Sequence, residues 1–386
     1  MFNEITKNAR YITFGRMITS VGFSATIPFL AIYLAVQRDA PLFLIGIMYL
    51  LQGLASLASQ VIAGYVSDFW GPKRTLAAGY LFGLASSFYM AFLLVINASV
   101  PVIVFTYPLF SLLRGFSMPA QAALLAEEKT DSITNFSLLA MASNLGFAVG
   151  PALGGVLVSY TGYPFLFVFS GLTSLLTFLT TYKLNEATYH LQREKHSPVP
   201  DRNVIFFILI CVLGYVVIGQ DIQPFALYAG YFLGVSSLVV GYLFSFSGLL
   251  IVALQLPVMR LLRRFGSHNV ILLSSVVAAL SFILLFYTSN SIHLFVSMAV
   301  ITLSEILFVV PSQIWITRAA PQTRKGSYQG YYSATATAGR SMASWLGSTL
   351  QGSSLGPRGS WIAMLILSAL MFLLTWVHKN KKRAEG

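Results

Sequence analysis

The sequence predicts an all-α membrane protein with twelve transmembrane helices in two pseudo-symmetric six-helix bundles. Three observations predict it: an apolar composition, apolar runs of span length, and residue patterns that recur half a chain apart. Of 386 residues, 56% are hydrophobic and 9% charged, whereas a soluble chain carries about 25% charged residues. A mean hydropathy of +0.75 points the same way. In hydrocarbon every backbone N–H and C=O must be satisfied internally, so spans are helices or closed barrels, and runs of about 20 apolar residues select helices.

The twelve runs cover residues 11–35, 42–66, 74–96, 101–126, 134–159, 163–182, 203–229, 235–261, 268–289, 292–318, 326–352 and 357–378. Basic residues punctuate them in order. Lys7 and Arg10 precede the first run, and Lys73 and Arg74 separate the second from the third. Lys129 lies between the fourth and fifth. Lys183, Arg193, Lys195 and Arg202 lie between the sixth and seventh, and Arg260, Arg263 and Arg264 at the junction of the eighth and ninth. Arg318, Arg324 and Lys325 mark the junction of the tenth and eleventh, and Lys379, Lys381, Lys382 and Arg383 follow the twelfth. Because Lys and Arg are retained on the cytoplasmic side, even-numbered connections and both termini are assigned to the cytoplasm. That assignment collects nineteen of the 24 basic residues and leaves only Arg38 and Arg358 outside. Topology thus accounts for the net charge of +12, and no nucleic-acid partner is expected.

The first run has full span length and no small-residue cleavage pattern, so no cleavable signal peptide is expected. The single Cys211 excludes an intrachain disulfide and suits apolar packing in span 7. His190, His196, His268, His293 and His378 show no paired ligand spacing, so neither a metal nor any other cofactor is expected.

The halves echo each other. Pro28-Phe29 in span 1 matches Pro224-Phe225 in span 7 at an offset of 196 residues. Gly53-Leu54 with Gln60 matches Gly248-Leu249 with Gln255 at 195, and Pro119 with Gln121 matches Pro311 with Gln313 at 192. Three matches in order, each setting span n on span n + 6, indicate a parallel duplication. The expected organisation is a first bundle over 1–182, a cytoplasmic linker over 183–202 and a second bundle over 203–386 with a short basic tail. The linker is polar, and its Ser197-Pro-Val-Pro200 run discourages a continuous helix.

Between spans 2 and 3 lies a Gly-rich charged hairpin, Gly64 to Arg74, with the spacing Gly64-x3-Asp68-x2-Gly71-x-Lys73-Arg74. Together with twelve spans and duplicated halves, it resembles the major facilitator superfamily over essentially the whole chain. Span 5 narrows the branch: Gly146-x3-Gly150-Pro151-x2-Gly154-Gly155 resembles the antiporter motif of twelve-span drug:proton antiporters. Ser137 stands where the fuller motif has a further glycine. Around Arg114 the span-4 pattern is looser, with Met118 where that branch usually carries glycine. The resemblance implies a major facilitator fold, a plasma-membrane location and a gating loop in which Asp68 locks against neighbouring span ends, including the start of span 11. The second half keeps Gly266 at the matching loop but has Arg263 in place of the acid.

The span-5 motif also has its own physics. Small residues at i, i+4 and i+8 make a groove for a close neighbour, and Pro151 removes a backbone donor. Either plain packing or a flexible seam between rocking halves follows from it.

Ionisable residues inside spans cost about 2.5–3.5 kcal/mol at the centre and are functional candidates by default. Arg114 in span 4, Glu305 in span 10 and Arg340 in span 11 fall near the midplane; Asp221 lies towards the outer end of span 7 and Arg16 towards the cytoplasmic end of span 1. Spans 1, 4, 7 and 10 line the cavity in the family architecture, which sets Arg114, Asp221 and Glu305 on a shared cleft. Burial favours a neutral carboxyl and a nearby arginine an ionised one, so a change in their separation couples protonation to access. Glu305 is the first candidate proton carrier and Asp221 the second; a permanent ion pair of either with Arg114 or Arg340 is the structural alternative. Arg16 suits snorkelling or helix packing. The first-half position matching Asp221 is Ala25, which concentrates proton work in the second half.

Gln220, Gln223, Phe225 and Tyr228 are candidate cavity residues, alongside Phe23, Phe116, Phe244, Phe246, Tyr331, Tyr332 and Gln313. Aromatics with a carboxylate suit lipophilic cations, whereas Arg114 and Arg340 also suit an anion. The sequence therefore reads as a proton-coupled exporter of lipophilic, cationic small molecules by alternating access. The alternative is an exporter or symporter of an anionic metabolite, siderophore-like compound or lipid anchored by Arg114 and Arg340. No nucleophile, base or metal constellation suggests an enzyme, and the short termini leave no room for a sensor domain. The expected partners are a small-molecule substrate, protons and membrane lipids, and the expected state is a monomer.

Overall fold

The structure, a computed structural model, describes residues 6–126, 132–185, 201–321 and 325–384. All of its regular elements are helical among those residues. Twelve spans follow in order: α1 (Lys7–Gln37), α2 (Leu42–Trp70), α3 (Pro72–Val95), α4 (Val100–Arg114 continuing as Ser117–Ala126), α5 (Ser132–Thr161), α6 (Pro164–Thr181), α7 (Arg202–Phe232), α8 (Ser237–Phe265), α9 (Ser267–Phe286), α10 (Ser291–Ala319), α11 (Lys325–Gln351) and α12 (Gly356–Ala384). Eleven are long and apolar enough to cross a membrane. The other, α11, has span length at 27 residues but is rich in Ser, Thr and Gly, which lowers its hydropathy. Most of the linker expected over 183–202 lies outside the described residues, as do Lys129 and Arg324.

Polar side chains open several spans by taking orphan backbone donors. Thr6 Oγ1 accepts from Ala9 N at 3.3 Å, Asp201 Oδ1 from Val204 N at 2.8 Å and Asn290 Oδ1 from His293 N at 2.9 Å. Glycine closes others. The expected hairpin from Gly64 to Arg74 is helix almost throughout: α2 continues to Trp70, Gly71 alone breaks it at φ 86°, and Pro72 opens α3. Gly266 does the same between α8 and α9 at φ 76°. A span therefore ends where the backbone must take positive φ, which only glycine does without strain, and not where hydrophobicity stops.

The chain divides into two compact units. One comprises Met1–Ala40, Leu51–Gln192 and Val235–Gly248; the other comprises Pro41–Leu50, Arg193–Gly234 and Leu249–Gly386. Packing partners inside them repeat. In the first unit α1 packs on α5 and α6, and α3 on α4 and α6; in the second α7 packs on α11 and α12, and α9 on α10 and α12. Each pair recurs six spans later, so the duplication read from Pro28-Phe29 and Pro224-Phe225 extends to packing. It extends to irregularity too, since α1 ends in a π-helical turn at Tyr33–Gln37 and α7 in another at Tyr228–Phe232.

The first unit has a core of Ile12, Leu76, Tyr80, Leu124 and Leu125, the second one of Phe207, Ile210, Tyr215, Phe308 and Trp315. Large apolar side chains such as Phe92, Leu249, Leu256 and Ile366 point outward and are more than half exposed, as a lipid-facing surface requires. One cluster was invisible in sequence: His268 and His378, 110 residues apart, meet at 2.9 Å between Nε2 and Nδ1 beside Trp315.

Candidate functional site

The site is built where α7 loses its regular helix. The α-helix stops at Ile218, Gly219–Asp221 form a 3-10 turn, and Ile222 takes φ −101°, ψ −96° before a short helix resumes at Gln223. Pro224 supplies no backbone donor to the preceding turn. Side-chain amides tie the break to α11: Gln351 Nε2 donates to Pro224 O at 3.0 Å, and Gln220 Nε2 donates to Ala343 O at 3.0 Å.

Glycines let α11 close on this break. A Cβ at Gly219 would lie 2.8 Å from Ala343 Cβ and 3.2 Å from Arg340 Cα, and one at Gly347 would lie 2.5 Å from Pro224 Cγ. Small residues at such a seam are the means by which membrane helices approach closely. The close approach carries Arg340 to the acids. Its Nη2 donates to Glu305 Oε1 at 2.5 Å, and Nη1 lies 3.6 Å from Asp221 Oδ1. Glu305 comes from α10, Asp221 from the α7 break and Arg340 from α11.

The two acids are not held alike. Glu305 makes a charge-assisted hydrogen bond to the guanidinium, whereas the buried Asp221 Oδ1 accepts none. Each carboxylate also feels the other. Arg340 further stands 5.6 Å from the Tyr215 ring centroid. Tyr215 Oη donates to Tyr332 Oη at 2.7 Å, and Tyr332 Oη donates to Val309 O at 2.9 Å. One guanidinium faces two carboxylates, so the cluster has net charge −1 with both ionised and zero with one protonated.

Arg340, proposed from sequence as a charge partner, is thus the hub. Arg114 has different neighbours: its Nη1 donates to Ser170 Oγ and its Nη2 to Thr19 O, both at 3.3 Å, and its Cζ lies 4.5 Å from the Phe23 ring centroid. Gln220, Gln223, Phe225 and Tyr228 are buried. Gln223 Oε1 accepts from Ser344 Oγ at 2.7 Å, and Tyr228 Oη donates to Leu285 O and Thr288 O at 3.2 and 3.1 Å. These residues brace the break against α11 and α9. Arg16 Nη2 donates to Ser143 Oγ at 3.2 Å. Sequence reasoning did not foresee Gly219, Gly347, Ser344 or the Tyr215–Tyr332 bond; for Gly347 and Ser344 the signal was the high Gly and Ser content of α11.

In the first unit α5 uses two faces. A Cβ at Gly146 would lie 2.8 Å from Met17 O, one at Gly150 2.5 Å from Val21 O and one at Gly154 2.7 Å from Phe29 Cε2, all on α1. On the other face, a Cβ at Gly155 would lie 2.7 Å from Ser237 O, at the start of α8. Ala152 N, next to Pro151, donates to Ser245 Oγ at 2.9 Å, so α8 satisfies a donor at the proline break. At the end of α2, Asp68 is exposed and Arg74 exposed, while Lys73 Nζ donates to Leu184 O at 2.7 Å. Gly64 has open space above its Cα among the described residues.

Spans, repeat and loop together define a multi-pass membrane transporter. The sequence profile of the Major Facilitator Superfamily matches residues 12–231 and 206–386, and the chain belongs to that superfamily. It is similar to a Na(+), Li(+), K(+)/H(+) antiporter of Planococcus maritimus, 24% identical over 85% of this chain and 86% of that one. It is also similar to a multi-drug resistance efflux pump PmrA homolog of Lactococcus lactis subsp. lactis (strain IL1403), 24% identical over 75% and 74% of the two chains. A crystal structure of a peptide transporter POT in complex with sulfate shares the fold, with a TM-score of 0.80 at 14% identity over 98% of this chain and 94% of that one.

Proposed function

We propose that the protein is a proton-coupled exporter of lipophilic, cationic small molecules that works by alternating access. The observation that carries this reading is the sharing of Arg340 by Asp221 and Glu305 inside the spans. The surplus negative charge is a place where a proton and a substrate cation compete. Proton entry from outside neutralises the cluster and displaces substrate, and proton release inside resets it. Relatives named as a cation/H(+) antiporter and a multi-drug efflux pump support the reading. An anion held by Arg340 is disfavoured, because two carboxylates already face its guanidinium.

In this reading the halves over 1–182 and 203–386 rock about the 183–202 linker, both termini face the cytoplasm, and the protein resides in the plasma membrane as a monomer without enzymatic activity. Asp68, with Gly64, Gly71, Lys73 and Arg74, biases the cytoplasmic gate, and the Gly146–Gly155 motif forms a seam for the motion. A carboxylate near a helix N-terminus contributes about 0.3–1 kcal/mol, enough to bias a two-state equilibrium without freezing it.

Proteoliposomes with an imposed pH gradient test the proposal, with ethidium as the lipophilic cation and benzoate as the organic anion. Gradient-driven ethidium flux that becomes gradient-independent in Glu305→Gln is the expected result. Ethidium flux insensitive to the gradient in the wild type, or no ethidium flux at all, would overturn it.

A further inference from the structure

We propose that the cavity beside Arg114 is a binding site for a compact monoanion, either a halide or the carboxylate of a transported acid. The first unit carries two arginines inside its spans, Arg16 and Arg114, and among the described residues neither has a carboxylate partner. The second unit shows the usual accommodation of such a charge, with two acids on Arg340. The first-half counterpart of Asp221 is Ala25, so the duplication kept cations in this half and supplied no acid at that position.

Arg114's partners among the described residues are neutral: a serine hydroxyl, a backbone carbonyl and the Phe23 ring. The guanidinium has five N–H donors, of which two reach the hydroxyl and the carbonyl at 3.3 Å. Unlike ammonium, the fork suits a planar carboxylate, and an uncompensated charge inside a span is costly. Beside it lies a cavity of about 30 Å³ whose walls include Thr26, Ser86, Ser87 and Ser111, with Phe23 and Phe167 as apolar walls. Thr26 and Ser86 donate to Phe23 O at 2.8 Å and to Gly83 O at 3.2 Å, so the donors offered to the cavity are the Arg114 guanidinium and the Ser87 and Ser111 hydroxyls, set in a mainly apolar wall. Since one water needs about 10–15 Å³ by this measure, the space admits a halide or a carboxylate head and excludes a bulky anion.

The test is thermal unfolding of the purified protein at constant ionic strength, with sodium gluconate exchanged for chloride, formate or benzoate. Chloride and formate should raise Tm by on the order of 2 °C over gluconate. Arg114→Gln should erase the increment. Thr26→Asp, which installs a carboxylate in the cavity wall, should erase it with Arg114 still in place, so one variant remains if the other fails to fold. Equal Tm in all four salts for the wild type, or an undiminished increment in Thr26→Asp, overturns the proposal. Formate uptake by proteoliposomes separates the two sources: saturable uptake inhibited by chloride assigns the site to a substrate carboxylate, and stabilisation by chloride without uptake assigns it to a resident inorganic ion. Ethidium/proton exchange is read separately, so its failure leaves these outcomes intact.

Discussion

Arg340 is the residue on which the second unit's charges balance. Its side chain is 29% exposed, against 8% for that of Asp221 and 13% for that of Glu305, so removing it strands two largely buried carboxylates. Breaking a buried ion pair by deleting one partner costs about 3–5 kcal/mol, largely through the charge left behind. Arg340→Gln should lower the Tm of purified protein accordingly, and adding Glu305→Gln should recover part of the loss. An Arg340→Gln protein as stable as the wild type would contradict the arrangement. The charges themselves were legible in the sequence, because ionisable residues stand out in apolar runs. Their pairing was not, since the choice between Arg114 and Arg340 as partner depends on helix rotation and on how closely α11 approaches α7. Gly219 and Gly347 settle that approach, and a single glycine in a span carries no such message by itself.

At the scale of elements, glycines divide into those that permit close packing and those that do not. Gly150 sits against the α1 backbone, with Val21 O at 2.5 Å from a Cβ placed there, whereas Gly64 meets nothing within 4 Å. Gly150→Val should cost about 1–3 kcal/mol as overpacking, read as a lower Tm, while Gly64→Ala, in open space within the α2 helix, should hold or raise Tm and alter transport rate if the loop gates. Equal destabilisation by both would remove the distinction. The spans were legible from hydropathy and their number from the repeat. Their ends were not: α2 and α8 run on through charged residues to Gly71 and Gly266, where positive φ is needed. Nor were the π-helical turns in α1 and α7, although Pro28-Phe29 and Pro224-Phe225 marked the same places in both halves. Such turns are frequent at functional sites, and here one follows the break that carries Asp221.

For the whole molecule, the charge pattern makes a topological prediction. In a Cys211→Ser background, Ser289→Cys in the α9–α10 connection should react with a membrane-impermeant maleimide added outside intact cells. Ser267→Cys at the start of α9 should react only after permeabilisation, and the reverse pattern would invert the orientation. Asp68→Asn should slow transport in protein that inserts normally; an unchanged rate would remove its gating role. The central claim, however, is that Asp221, Glu305 and Arg340 form the proton-exchanging cluster, and proton release tests it most directly. Ethidium added to purified protein in weakly buffered solution should release about one proton per bound ethidium, since one surplus carboxylate is available. Release should vanish in Glu305→Gln and Asp221→Asn proteins that still bind ethidium. Undiminished release from both variants would place the proton site elsewhere and contradict the account.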